Sequence, residues 1–179
     1  VTLPQGEATK NLDSHRMLLA RMLELGFTRA DRVIAVGGGV MGDLAGFAAA
    51  VYMRGIDFYN LPTTLLSQVD SSIGGKVAVD MQGVKNVVGA FYPPKKVIID
   101  PDALNTLPSR QIAAGLAESI KMAATSNAGL FALIEQSDNL NRDLDAILEG
   151  SLKIKRDVVE QDPTEKGLRK VLNFGHTIG

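Results

Sequence analysis

Cysteine and tryptophan are absent from the 179 residues, histidine occurs twice, and the remaining aromatics are three Tyr and six Phe. Without cysteine there is no disulfide scaffold, no Cys-ligated zinc and no thiol nucleophile. Neither sign of charge dominates: 19 Lys and Arg stand against 20 Asp and Glu, for a net charge of −1. That balance offers no electrostatic footprint for nucleic acid or an anionic membrane. Long apolar runs are missing as well. The most apolar stretch, Val33 to Met53, is interrupted by Asp43 and a set of glycines, whereas a membrane helix needs about 20 mostly apolar residues. Val1 to Lys10 carries Pro4, Gly6 and Glu7 where a secretory signal would be apolar. These absences favour a cytoplasmic location.

What is present is ordinary globular composition, 45% hydrophobic and 22% charged, which excludes wholesale disorder. The length suits one domain or parts of two and is enough to bury a core. Eighteen glycines point to many tight backbone turns. The chain starts on Val1 rather than Met and stops on Gly179, just after an Asn-Phe-Gly-His-Thr run, so it reads as a portion cut from a longer protein.

Helical spacing of Leu12, Met17, Leu18, Met22 and Leu25 predicts a first helix over 11–25, with Gly26 at its C-terminal cap. The β-branched run 32–36 predicts a buried strand ending in glycines, followed by a helix of small residues over 40–53. Further strands are expected at 57–61 and 96–100, each stopped by proline, with two short strands over 76–86 and a helical turn at 65–69. After Asp102 glycine thins out and helical periodicity takes over, at 109–124, 128–136 and 141–161, with a last helix beginning near Glu165. An α/β half over 1–101 is thus followed by an all-α half over 102–179. Alternating strands and helices joined by a glycine turn are the build of a nucleotide-binding sheet.

Gly37-Gly38-Gly39-Val40-Met41-Gly42 satisfies G-x-G-x-x-G between a strand and a helix. Glycines there let backbone N–H groups at a helix start approach a pyrophosphate; the same turn also serves close strand–helix packing. Asp43, a carboxylate in an apolar helix, is either a partner of the helix dipole or a contact to a cofactor's polar end. Asp57 reads as a solvated strand-entry residue and His15 as solvated helix surface. Thr63 and Thr64 stand at a strand's carboxyl end, where open α/β sheets bind ligands, but as a pair alone they read better as an N-cap. The run from Gln68 through Asp70, Ser71, Ser72 and Lys76 to Lys85 and Asn86 puts a carboxylate, hydroxyls, lysines and an amide on short loops. Such loops hold phosphates or polyols, or form a polar hairpin surface. Glu118 and Lys121 share a helix face at i, i+3, as a surface pair or, given their apolar neighbours, a partly buried one. Glu118 and His176, from different helices, suit a carboxylate–imidazole zinc site but are two ligands where a catalytic zinc needs three.

Taken in order, these runs resemble the 3-dehydroquinate synthases of the sugar phosphate cyclase superfamily. The matching pieces are Gly6-Glu7-x-x-Lys10, Gly37 to Gly46, Tyr52-Met-Arg-Gly55, Pro62 to Ser72, Gly74-Gly-Lys76, Lys85-Asn86, Gly89 to Tyr92, Thr106-Leu-Pro108, Gly115 to Lys121, Gly167-Leu-Arg169 and Leu172 to Thr177. The resemblance implies an incomplete Rossmann-like nucleotide-binding domain followed by an incomplete all-α domain. It implies a substrate, 3-deoxy-D-arabino-heptulosonate 7-phosphate, converted to 3-dehydroquinate and phosphate in the shikimate pathway. The steps would be oxidation at C5, β-elimination of phosphate, reduction, ring opening and aldol closure, with NAD regenerated and a divalent metal, zinc or cobalt, as Lewis acid. By the same resemblance Glu118 and His176 are metal ligands. Glu7, Lys10, Gly38, Gly39, Val40, Asp43, Thr63, Thr64, Leu66, Asp70, Ser71, Thr106 and Leu107 line NAD. Lys76, Asn86, Lys121, Lys155, Arg169 and Asn173 hold the substrate, and Lys85 lies between cofactor and substrate. Lys76, Lys85, Asn86, Lys121 and Asp70 form the catalytic set. Arg54 would reach a neighbouring subunit's phosphate site, hence a homodimer. The 179 residues alone are expected to be inactive. The rivals are another sugar phosphate cyclase, a metal-dependent NAD alcohol dehydrogenase, and an inactive NAD-binding module.

Overall fold

The computed structural model describes residues 1–175, in two compact units. The first comprises Val1–Thr63 and Gly75–Ile99, the second Thr64–Gly74 and Asp100–Gly179.

In the first unit, helix α1 (Leu12–Glu24) begins at Asn11, whose side chain accepts the Ser14 N–H at 2.9 Å as an N-cap. Strand β1 (Val33–Gly37) leads through Gly38 into helix α2 (Gly39–Val51), and β2 (Phe58–Pro62) returns parallel to β1. Strands β3 (Lys76–Met81) and β4 (Val84–Phe91) form an antiparallel hairpin. Its turn is made by Gln82 and Gly83, both at positive φ. Strand β5 (Lys96–Val97) completes a parallel sheet of order β1-β2-β5. Helix α2 can lie close because its inner face is small: a Cβ on Gly46 would stand 2.5 Å from Val77 and 3.0 Å from Phe58. Leu44, Phe47, Ala48, Ala49, Phe58, Val77 and Val79 make the core.

The second unit contains a π-helical turn (Ser67–Ser71), a 3-10 turn (Pro101–Leu104), helices α3 (Ser109–Ser126), α4 (Ala128–Gln136) and α5 (Leu140–Gln161), and a 3-10 segment (Leu168–Asn173). Asn127 and Asn139 cap α4 and α5. Met122, Ala123, Leu130, Ile154, Val158 and Leu172 form one core cluster, and Leu65, Val69, Leu104 and Leu148 another. Residues 64–74 thus pack with the helical unit, although they follow β2 in sequence. Among the described residues no helix is long and apolar enough to cross a membrane.

Three local expectations are corrected. The strand over 96–100 is two residues long: Ile98 N–H still reaches Asn60 O at 2.8 Å, but Pro62 has no N–H to donate the next bond of the ladder. The helix expected near Glu165 is a 3-10 segment starting at Leu168, after a loop that turns at Pro163 and at positive φ on Glu165. His15 is not solvated surface. It is 7% exposed and stacks on Phe47 at 4.4 Å between ring centroids. Of the apolar residues whose spacing predicts this helix, Leu12, Met17 and Leu25 are exposed, while Met22 faces the core together with His15.

Burial lowers the His15 pKa below its usual value, so the imidazole is neutral in the fold. The unfolded chain takes up the proton first, so stability is full above the unfolded value of about 6.5 and declines as pH falls below it. Urea unfolding between pH 7.5 and 5.5 is expected to show this slope for the wild type and less of it for His15→Leu. Equal slopes in the two proteins would contradict it.

Candidate functional site

The glycine turn and its surroundings belong to the first unit. Strand β1 delivers Gly37 at φ 154°, and Gly38 is the N-cap of α2 with no side chain capping it. The Met41 and Gly42 N–H groups bond Gly38 O at 3.0 and 3.2 Å; the earlier N–H groups at a helix start have no intrahelical acceptor. Thr63 N donates to Gly37 O at 2.9 Å, which holds the end of β2 beside this turn. Gly42 is required by close approach, since a Cβ there would meet the Asn60 side chain at 2.8 Å.

One turn into α2, Asp43 meets a buried lysine. The Lys10 ammonium, 6% exposed, is 3.0 Å from Glu7, 3.3 Å from Asp43 and 4.0 Å from Asp80. Lys85 reaches the same Glu7 oxygen at 3.4 Å. Asn86, at φ 54°, donates its backbone N–H to Asp80 at 2.8 Å. Glu7, Lys10, Asp43, Lys85 and Asn86 are therefore members of one network. Burial pushes the Asp43 carboxyl up to about 6 against the pull of Lys10, and the charges of Glu7 and Asp80 add to the push. Burial alone would lower the Lys10 pKa; hydrogen bonding to Glu7 and the charge of Asp43 outweigh it, and the ammonium is held above its usual value. Asp80 was not among the residues singled out from sequence. Its only signal is a carboxylate at the end of a β-branched strand, just before a turn.

The second unit carries its own polar cluster. Thr64 and Ser67 exchange hydrogen bonds, Oγ to Oγ at 2.8 Å and each hydroxyl with the other's N–H at 3.2 Å. Thr64 therefore acts as a cap for the turn after it. On that turn Asp70 pairs with Lys155 of α5, whose side chain is 6% exposed. The hydroxyls of Ser71 and Ser72 are buried without a hydrogen-bond partner. Arg169 is 2% exposed and donates to Pro163 O at 2.8 Å and Gly74 O at 3.2 Å. A Cβ on Gly74 would stand 2.2 Å from that guanidinium, and φ is 101° there, so glycine is needed on both counts. Glu118 and Lys121 pair at 2.5 Å with each side chain 12% exposed, the partly buried of the two arrangements.

The other sequence-derived candidates are mostly exposed. Lys76 is exposed at the start of β3, and Arg54 is exposed at φ 68° in a 3-10 turn (Tyr52–Arg54) that Gly55 ends. Leu66 and Thr106 are exposed, Leu107 is half-buried, and Asn173 donates to Glu165 at 2.7 Å. His176 lies outside the described residues. Among the described residues no three His, Asp or Glu side chains gather as a metal centre.

A parallel α/β unit with a glycine turn opening onto a helix, joined in sequence to a helical unit in which Lys155 and Arg169 are buried, defines a two-part protein of the nucleotide-binding α/β class. Residues 1–114 match the 3-dehydroquinate synthase N-terminal family and residues 115–179 its C-terminal family. The chain belongs to the 3-dehydroquinate synthase family. It is 51% identical over 184 residues to a 3-dehydroquinate synthase from Alkaliphilus metalliredigens, covering 100% of this chain and 52% of that protein. The chain thus spans about half the length of the curated relatives it matches. Among solved structures it is similar to 2-epi-5-epi-valiolone synthase from Streptomyces hygroscopicus, described with NAD+ and Zn2+ bound. That match has TM-score 0.89 and 30% identity, over 97% of this chain and 51% of that one. It is also similar to 2-deoxy-scyllo-inosose synthase complexed with carbaglucose-6-phosphate, NAD+ and Co2+. There the TM-score is 0.86 and the identity 31%, over 99% of this chain and 51% of that one.

Proposed function

We propose that this chain carries the cofactor-binding and part of the substrate-binding machinery of a 3-dehydroquinate synthase. That enzyme takes 3-deoxy-D-arabino-heptulosonate 7-phosphate to 3-dehydroquinate and inorganic phosphate. The observation that supports this most is the network of Glu7, Lys10, Asp43, Lys85 and Asn86 in the unit that also holds the uncapped start of α2.

The donor set fits NAD. The uncapped helix start suits a pyrophosphate, and a carboxylate one turn into that helix, held by a lysine, suits hydroxyl or amide groups. When bound, NAD supplies a hydride acceptor that is restored within each turnover. Of the two metal ligands that the resemblance implies, Glu118 lies among the described residues, where it pairs with Lys121. Metal ligation by Glu118 with His176 stays a proposal from the resemblance, and no step is routed through it.

The chain's own groups do the following. N–H groups of Gly39 and Val40 bind the pyrophosphate. Lys10 keeps Asp43 ionised above pH about 6, so the carboxylate accepts a hydroxyl proton rather than offering one. Lys85 and Asn86, on the hairpin that Asp80 anchors, present a cation and an amide to the sugar phosphate. Lys121 and Lys155 add positive charge where phosphate and carboxylate groups bind. Lys76, Arg169 and Asn173 are further substrate-binding residues in this proposal. The enzyme is placed in the cytoplasm as a homodimer, with Arg54 at the neighbour's phosphate site and no nucleic acid or membrane partner.

Another sugar phosphate cyclase is the second reading, on the similarity at TM-scores of 0.86 and 0.89. Identity of 51% to a dehydroquinate synthase, against 30% and 31%, favours the first. The test is Gly39→Val. A branched side chain at the helix start obstructs the approach of a pyrophosphate, and losing one or two charge-assisted N–H bonds costs about 2–4 kcal/mol. NAD affinity by calorimetry is expected to fall about a hundredfold or more, with the circular dichroism of the wild type retained. A folded variant with unchanged NAD affinity would sink the proposal.

A further inference from the structure

Helix α5 ends at Gln161, and Asp162 follows as its C-cap, its own N–H still bonded to Val158 O at 3.0 Å. The Asp162 carboxylate, in a residue 9% exposed, then gathers three backbone N–H groups from the loop beyond. One oxygen accepts from Lys166 at 2.8 Å; the other accepts from Gly167 at 2.7 Å and Arg169 at 3.0 Å. The loop it closes contains Pro163 and Glu165, the latter at φ 58°, and on its own would sample many shapes. At the loop's end the Arg169 guanidinium is directed onto Pro163 O and Gly74 O.

We propose that Asp162 is a positioning residue: its carboxylate folds the 163–169 loop into one shape and thereby sets the Arg169 guanidinium against Gly74. The functional half of this rests on the reading of Arg169 as a substrate-binding residue. Sequence alone suggested no role for Asp162, which looks like the stop of a helix before a proline. Three N–H bonds on one carboxylate exceed what a helix end requires, and Arg169 itself supplies one of them. The folded site also lowers the Asp162 pKa, first through the Gly167 N–H. Asp162→Asn leaves one acceptor oxygen, which can keep the Gly167 and Arg169 bonds, and turns an amide donor toward the Lys166 N–H. Asp162→Ala leaves none.

Two arms test this. In the 179-residue chain, NMR is expected to show slow amide exchange at Gly167 and Arg169 and hindered rotation of the Arg169 guanidinium. Asp162→Ala should speed both by about tenfold or more, the change that loss of one net hydrogen bond brings. Asp162→Asn should fall between, and Ile154 and Val158 should keep wild-type protection. An Arg169 signal unmoved in folded Asp162→Ala overturns the proposal whatever the activity. In the natural full-length protein, Asp162→Asn is expected to raise KM for the heptulosonate phosphate about tenfold and to leave KM for NAD within about twofold. Combined with Arg169→Ala it should add nothing, because groups acting through one another are non-additive. Additive losses, or both KM values moving together, would mean a merely structural Asp162. If Arg169→Ala alone leaves KM for the sugar phosphate unchanged, the substrate-binding reading of Arg169 fails, and the first arm still decides the positioning.

Discussion

Lys10→Met is expected to destabilise the first unit by about 3 kcal/mol, because removing one partner of a buried ion pair leaves the other charge unpaired. The ammonium is 6% exposed and has Glu7, Asp43 and Asp80 within 4.0 Å. Methionine fills the same space but leaves three carboxylates facing one another. The loss has a pH signature. Asp43 already titrates near 6 in the fold, above the unfolded value of about 3.9. A group raised in this way contributes most at low pH and loses its contribution as pH rises through the folded pKa. Without Lys10 the Asp43 pKa climbs further. The variant should therefore be much weaker than wild type at pH 8 and recover part of the gap at pH 5. Urea unfolding at the two pH values measures this, and adding Asp43→Asn should restore stability at pH 8. A Lys10→Met protein as stable as wild type at pH 8 would show that the cluster is not a coupled unit. NAD binding should weaken in the same variant, since a protonated Asp43 lacks the charge that strengthens a bond accepted from a hydroxyl.

Lys155→Met is the counterpart in the second unit. Its ammonium is buried against Asp70, whose side chain is 27% exposed, so water screens part of the loss and about 2 kcal/mol is expected. Arg169 lies close enough for Asp70 to act on its charge and shields some of the remainder. Activity of the full-length protein should suffer more than stability. A cation placed where phosphate leaves is worth roughly 10²–10³ in rate. The double variant Lys155→Met with Asp70→Asn should regain most of the stability and none of the activity. Recovery of turnover in the double variant would make the pair structural and remove both residues from the active site.

The parts of the fold legible in sequence are those with strong local chemistry. The glycine triplet followed by small residues marks the β1–α2 junction, Met81-Gln-Gly83 marks the hairpin turn, and helical periodicity marks α4, and α5 to within one residue of its start. Long-range packing was not legible. Several phasings of α1 carry apolar residues, and the one that buries His15 is selected by Phe47 on another helix. Residues 64–74 follow a strand of the first unit yet pack with the second, around Leu65, where a Cβ on Gly115 would stand 2.5 Å away. At the site, Asp43, Lys85 and Asn86 stood out as polar residues in their local setting, while Glu7 and Lys10 came only with the family resemblance. Their union in a single network needed coordinates. Asp80 and Asp162 were invisible because a carboxylate accepting backbone N–H groups across a loop leaves no periodicity to read.

The reaction proposed for the full-length protein uses NAD without consuming it. It is tested most directly by supplying 3-deoxy-D-arabino-heptulosonate 7-phosphate, NAD+ and Zn2+ to the natural full-length protein and following phosphate, 3-dehydroquinate and NADH together. Phosphate and dehydroquinate should appear in equal amounts, only when NAD+ is present, with no net NADH. Steady accumulation of NADH without phosphate release would mark a simple dehydrogenase and contradict the account.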